Sequence, residues 1–169
     1  MVNTFKIQDT FMSHLPIQLD ASCNGLQHLT CIINDSKLAQ KVNIIESDTL
    51  VDPQDLYTDC VDSIKQGLAK QVKKYPIYSS LLNLIIDRKL IKRSIMTIPY
   101  NVTIVGIMEQ LETHFEKKWN LLGHYEYIPL DIKSHGNVKL TTKDLMCLAT
   151  VIHDTLYEEH PNLKALVKY

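Results

Sequence analysis

The sequence predicts an α/β fold that is predominantly α-helical, on three observations. Most apolar residues recur every three or four positions, as in Leu56, Cys60, Ile64 and Leu68, or Leu145, Leu148, Ile152 and Leu156. Residues that start and stop helices bracket those runs. Only two short runs, residues 15–19 and 125–130, read as strands.

Taken in order, residues 5–14 form a polar lead-in, and a strand over 15–19 ends at Asp20. Ser22 or Asn24 is placed to cap a helix with Leu26, Leu29, Ile32 and Ile33 on one face, and Asn34 with Asp35 stops it. Residues 42–49 read as a loop. Asp52 as cap and Pro53 at the first helical position predict the next helix, which runs to about Lys73 before Tyr75 and Pro76 break it. The longest predicted helix covers 79–98. Pro99 ends it, because proline has no amide proton to donate and crowds the preceding turn. A further amphipathic helix is predicted over 103–122, with Trp119 in the core or at an interface, followed by the 125–130 strand and a turn at 133–137. Thr141 or Thr142 caps a helix over 144–158, and His160 with Pro161 opens a last short one.

The chain has 169 residues, 45% hydrophobic and 22% charged, which suits one globular domain with a real core. A net charge of −1 argues against a stand-alone nucleic-acid binder. Basic residues do concentrate locally, at 65–74 and 88–93. The first of these clusters, with Lys70, Lys73 and Lys74, reads as a solvated helix C-terminus, where cations suit the dipole. Four cysteines form no C-x-x-C pair and no zinc spacing, and are expected as reduced thiols. No apolar run reaches the ~18–20 residues of a membrane span. The N-terminal residues show neither a secretory signal nor an Arg-rich transit peptide.

Two stretches carry chemistry. In the first, an apolar run delivers a lone carboxylate, Asp20, to a tight turn made by Ala21, Ser22, Cys23, Asn24 and Gly25. In the second, Arg88, Lys92, Met96 and Tyr100 stand four residues apart. On a helix each such step drifts by about 40°, so the four make one winding stripe of two cations, a thioether and a phenol. A nucleoside triphosphate lying along the stripe would meet charge at its phosphates and apolar surface at its base and sugar. Arg88 can fork onto two phosphate oxygens, Lys92 supplies a point charge, and Tyr100 offers a ring and a hydroxyl. A basic solvated helix face would show the same spacing. His14 and His28 bracket the first stretch, and hydrogen-bonded structural roles are expected for both.

The two stretches together resemble a known family. Ser13-His14-Leu15-Pro16, then Asp20-x-Ser22-Cys23-Asn24-Gly25-Leu26-Gln27-His28, is similar to motif A of the single-subunit, phage-type RNA polymerases, the mitochondrial ones especially. Arg88-x-x-x-Lys92-Arg93-x-x-Met96-Thr97-x-x-Tyr100 is similar to motif B, the nucleotide-binding helix of the fingers. Pro53-Gln54-Asp55-Leu56-Tyr57 resembles the segment between them. The ending at Asn101 resembles versions carried by mitochondrial plasmids of fungi and plants. Most of the family has glycine there, and asparagine tolerates the same left-handed backbone. The resemblance is strong over 13–101 and only suggestive beyond.

What the resemblance implies is a fragment of a DNA-directed RNA polymerase, holding part of the palm (about 1–75, with motif A) and part of the fingers (about 76–169, with motif B) of a right-hand fold. Asp20 would be a catalytic ligand of Mg²⁺, with the carbonyl of Ala21 as a second donor. Arg88 and Lys92 would hold the incoming triphosphate, Met96 would lie near the base, and Tyr100 would help select ribonucleotides. The reaction would be two-metal transfer of ribonucleoside monophosphates to an RNA 3′ end. Partners would be the DNA template, the RNA product, ribonucleoside triphosphates and further polymerase segments, with no membrane. The location would be mitochondrial, the gene lying in the organelle or on a mitochondrial plasmid.

Two metals need more than one carboxylate. Asp154, after His153, mimics the family's later aspartate motif, but it follows Tyr100 too closely and sits in a helical pattern capped near Thr142. It is therefore not expected to be a ligand, and the isolated chain is expected to be inactive. Two alternatives remain open. One is a catalytically dead remnant that binds nucleic acid or a partner at most. The other is a fragment of a family A-like DNA polymerase, which shares the Arg-x-x-x-Lys and the distal Tyr but continues differently after the motif A aspartate.

Overall fold

The computed structural model describes residues 14–16, 23–45 and 53–167. The predicted strand over 15–19 ends beyond residue 16, so this expectation lies outside the described residues, as do Asp20, Ala21, Ser22 and Asp52. The described residues are predominantly helical, with one small antiparallel sheet, as expected. No helix among them is long and apolar enough to cross a membrane.

Helix α1 (Asn24–Ile33) starts after Cys23, whose backbone is left-handed and supplies no side-chain cap. Asn24 is thus the first helical residue rather than the cap. Leu26 and Thr30 are buried, Leu29 and Ile33 pack partly against the core, and Ile32 points out at 67% exposure. Asn34 ends the helix in a left-handed turn, and Asp35 caps α2 (Ser36–Lys41) by accepting from the Lys37 and Leu38 amides at 3.1 Å. Helix α2 has only two buried residues, too few for a readable period. The loop expected from residue 42 begins after it.

Helix α3 (Leu56–Lys74) is capped by Asp55, so Pro53 precedes the helix instead of opening it. Leu56, Cys60, Ile64 and Leu68 are buried as predicted, and Lys70, Lys73 and Lys74 are exposed at the far end. Gly67 lies where α3 meets a later helix, α7 (Thr142–Glu159). A Cβ there would come within 2.9 Å of Val151 Cγ1, so only glycine permits this approach.

The predicted 79–98 helix is two pieces. A 3₁₀ segment, Pro76–Asn83, buries only Leu81. The chain then extends and α4 (Arg88–Thr97) begins afresh, with the Asp87 carboxylate accepting from the Leu90 amide at 2.9 Å. A one-turn 3₁₀ segment, Ile98–Tyr100, follows, with Pro99 in it, and Asn101 closes it left-handed at φ 59°. The glycine-like backbone expected at Asn101 is present.

The predicted 103–122 helix also divides. Helix α5 (Ile104–Glu112) is capped by Thr103, and β1 (Phe115–Trp119) pairs antiparallel with β2 (Tyr125–Pro129) in the register Phe115 to Pro129 and Trp119 to Tyr125. Trp119 therefore sits on a strand, not a helix. It is 64% exposed and meets Tyr125 edge to face at 4.8 Å. The predicted turn at 133–137 contains the end of a short helix, α6 (Ile132–His135). Strand β3 (Leu140–Thr141) completes the sheet in the order β1-β2-β3. Thr141 and Asp144 then form a reciprocal capping box that opens α7. Helix α8 (Pro161–Val167) returns with Leu163 buried.

One core joins these elements. Leu26 of α1, Ile64 of α3, Ile91 of α4, Ile107 of α5, Tyr127 of β2 and Ile152 of α7 belong to the same buried cluster. Leu90, Ile91, Ser94 and Ile95 turn one face of α4 into that core, which commits its opposite face to the surface.

Candidate nucleotide site

That outer face is where the site forms. Arg88, Met96 and Tyr100 are exposed and Lys92 is half-buried, so the predicted stripe exists as a surface feature. Its lower end is built against the start of α3. The Arg88 Nε donates to Asp55 Oδ2. Asp55 in turn accepts from the Tyr57 amide at 3.2 Å and from Thr58 Oγ1 at 2.8 Å. Partial burial alone would raise the Asp55 carboxyl. The bonds from Thr58 and Arg88, with the Arg88 charge, outweigh it and hold the group below the ordinary carboxylate value.

Tyr57 is the floor of the stripe. Its residue is 5% exposed, the Arg88 guanidinium carbon lies 5.4 Å from its ring centroid, and Lys92 Nζ lies 5.8 Å from the same centroid. Its hydroxyl neighbours the Cys23 thiol at the head of α1. Burial first, and then that thiol, pushes the phenol well above its usual range. Burial likewise raises the Cys23 thiol, only partly offset by the Tyr57 hydroxyl.

The upper end of the stripe opens on a pocket of about 120 Å³. Cys23, Asn24, Gly25 and Leu26 line one side, Met96, Pro99 and Tyr100 the other, and Tyr57 the base. Tyr100 rests directly over Gly25, where an added Cβ would lie 2.9 Å from both Cζ and Oη of the ring. Two stretches far apart in sequence, the turn after Asp20 and the end of α4, thus meet across one cavity. Two cations lie at one end of the arrangement, and a thioether and a phenol at the other.

A family model for DNA-dependent RNA polymerase matches residues 2–160. The chain belongs to this family. It is 40% identical over 163 residues to a probable DNA-directed RNA polymerase of Neurospora crassa, a match that covers 94% of this chain and 18% of that protein. A probable DNA-directed RNA polymerase of Podospora anserina is 35% identical over 167 residues, covering 94% of this chain and 17% of the relative. The mitochondrial DNA-directed RNA polymerase of Mus musculus is 36% identical over 102 residues, covering 60% of this chain and 8% of the relative. The chain thus spans less than a fifth of the length of these relatives.

Within this polymerase segment, Arg88, Lys92, Met96 and Tyr100 share one face, while Asp20 and Ala21 lie outside the described residues. Among the described residues no group of three or more His, Cys, Asp or Glu side chains could hold a metal ion. Asp154 is on α7, as the helical pattern predicted, and its carboxylate bonds His153 Nδ1 at 3.0 Å. His14 and His28 are both exposed, and neither lines the pocket against Tyr100. Asp55, Tyr57 and Cys23 are the site residues that spacing does not reveal. The sequence signal for the first two was the segment 53–57, which resembles the family without belonging to either motif.

Proposed function

We propose that this chain supplies the nucleotide-gripping part of a DNA-directed RNA polymerase, with Arg88 and Lys92 on the triphosphate, Met96 beside the base and Tyr100 at the sugar. The observation that carries this reading is the single surface formed by Arg88, Lys92, Met96 and Tyr100, with its cations over Tyr57 and its far end on the pocket against 23–26. The cations attract and orient the phosphates, and the pocket shields one face of the nucleoside from water. Asp20 and the carbonyl of Ala21 are the proposed magnesium ligands, carried by family resemblance. When bound there, magnesium would polarise the phosphate and promote attack by an RNA 3′-hydroxyl. The division into palm (1–75) and fingers (76–169), a mitochondrial location, and DNA, RNA and further polymerase segments as partners belong to the same proposal.

Calorimetric titration of the chain with ATP and with inorganic tripolyphosphate tests it. Both should bind, and Arg88→Ala or Lys92→Ala should each weaken tripolyphosphate about 5- to 20-fold, the scale of one or two kcal/mol for a charge-assisted contact. The chain alone should extend no primed RNA–DNA hybrid. Unchanged affinity in both variants would remove the stripe from nucleotide binding and leave the inert remnant as the better reading.

A further inference from the structure

The grip on Arg88 is one-sided. Asp55 takes the Nε edge of the guanidinium and Tyr57 lies under its plane. Among the described residues no bond to either terminal nitrogen is recorded. An arginine has five N–H donors in a rigid planar fork, so a carboxylate on Nε leaves the two terminal amines as a matched pair for an oxyanion. The holder is itself held. Asp55 is fixed by the Tyr57 amide and the Thr58 hydroxyl as the cap of α3, and Tyr57 is buried in the core. Lys92 stands over the same ring.

We propose that Asp55 and Tyr57 are positioning residues that hold Arg88 by its Nε edge and its plane, so that its terminal amines face the triphosphate. This rests on the nucleotide reading above. Arg88 is close to half exposed, and a free side chain there would lose much rotamer freedom on binding. Holding it in advance removes that cost. The same carboxylate has an opposing effect, since its negative charge repels phosphate. If repulsion dominated, Asp55 would compete with the ligand instead of preparing the site, and the two effects predict opposite signs.

The test is tripolyphosphate affinity by titration calorimetry for the parent, Asp55→Asn, Arg88→Ala and the double variant. Asparagine caps a helix as well as aspartate does, so α3 keeps its start. Asp55→Asn should bind about fivefold more weakly, the scale of an exposed ion pair near 1 kcal/mol. It should cause no further loss once Arg88 is alanine. Equal or tighter binding by Asp55→Asn would overturn the proposal and make Asp55 a competitor of phosphate. A loss of the same size with and without Arg88 would also overturn it, because Asp55 would then act only through the fold. Tyr57→Leu keeps an apolar side chain but removes the ring and should bind more weakly than the parent does, and an unchanged affinity would overturn the part assigned to the ring. Absence of any binding by the parent would reject the nucleotide reading itself, and the positioning role with it.

Discussion

Gly25 and Tyr100 show how much a single atom controls at the residue scale. The ring of Tyr100 occupies the space that any side chain at 25 would need, yet Tyr100 is 69% exposed and free to swing away. Gly25→Ala should therefore leave the unfolding midpoint close to that of the parent while displacing the ring. In titrations its ATP affinity should fall and its tripolyphosphate affinity should hold. Equal losses for both ligands would show that the ring and the phosphate grip are not separable. The left-handed turn at Asn101 was legible in advance, because asparagine tolerates that backbone. The Tyr57 floor was not. It reaches Arg88 and Lys92 from another helix, and no spacing rule within one helix reports a partner on a different one.

At the scale of elements, α4 owes its position to where it starts. The sequence suggests one helix over 79–98, but Pro76–Asn83 is a 3₁₀ segment and Asp87 begins a new helix at Arg88. That restart makes Arg88 the first helical residue, near the positive end of the helix dipole, where an anion is favoured. Asp87→Ala removes the cap on the Leu90 amide and should cost about 1 kcal/mol. Thermal unfolding should show it as a midpoint lower by about 3 °C. No change would mean that packing of Leu90 and Ile91 alone fixes the helix start. Helices α3 and α7 were legible because each buries a long periodic face. Strand β1 was not, since only Phe115 of its five residues is buried and an edge strand with one buried residue shows no alternation. The loop from Asn120 to Gly123, where the Asn120 side chain accepts from the Leu122 and His124 amides at 3.0 Å, was the available sign of a hairpin.

For the whole molecule, the single core ties stability to pH through two histidines. His160 is 4% exposed and its Nε2 has no partner among the described residues. Burial first, with Lys41 nearby, pushes its pKa down, while Asp35 and Glu159 pull the other way. His114 is lowered by burial and then by His135 and Lys89. The unfolded chain takes up protons near the ordinary histidine value of about 6.5, and the fold resists until lower pH. Stability is therefore complete above that value and falls as pH drops from it toward the folded values. Unfolding midpoints should be lower at pH 5 than at pH 7.5, and His160→Gln should shrink the difference. Identical midpoints at the two pH values would contradict this. Fold class and family were legible at this scale because helical periods and two spaced motifs survive in one dimension. How the motifs meet was not, because the pocket between 23–26 and the end of α4 exists only once α1 packs against the Ile98–Tyr100 segment.

The seat of Tyr100 has a further consequence. Arg88 and Lys92 are braced from below by α3, whereas Tyr100 is set by Pro99, the turn at Asn101 and the bare backbone at Gly25. The two ends of the stripe thus share only Tyr57, the floor under the cations and the base of the pocket. On the proposed reading, a substitution at 25 or 101 would retune which nucleoside fits while the phosphate grip stays as it was, and a change at 55 would do the reverse. Substrate choice and substrate strength would then be independently adjustable.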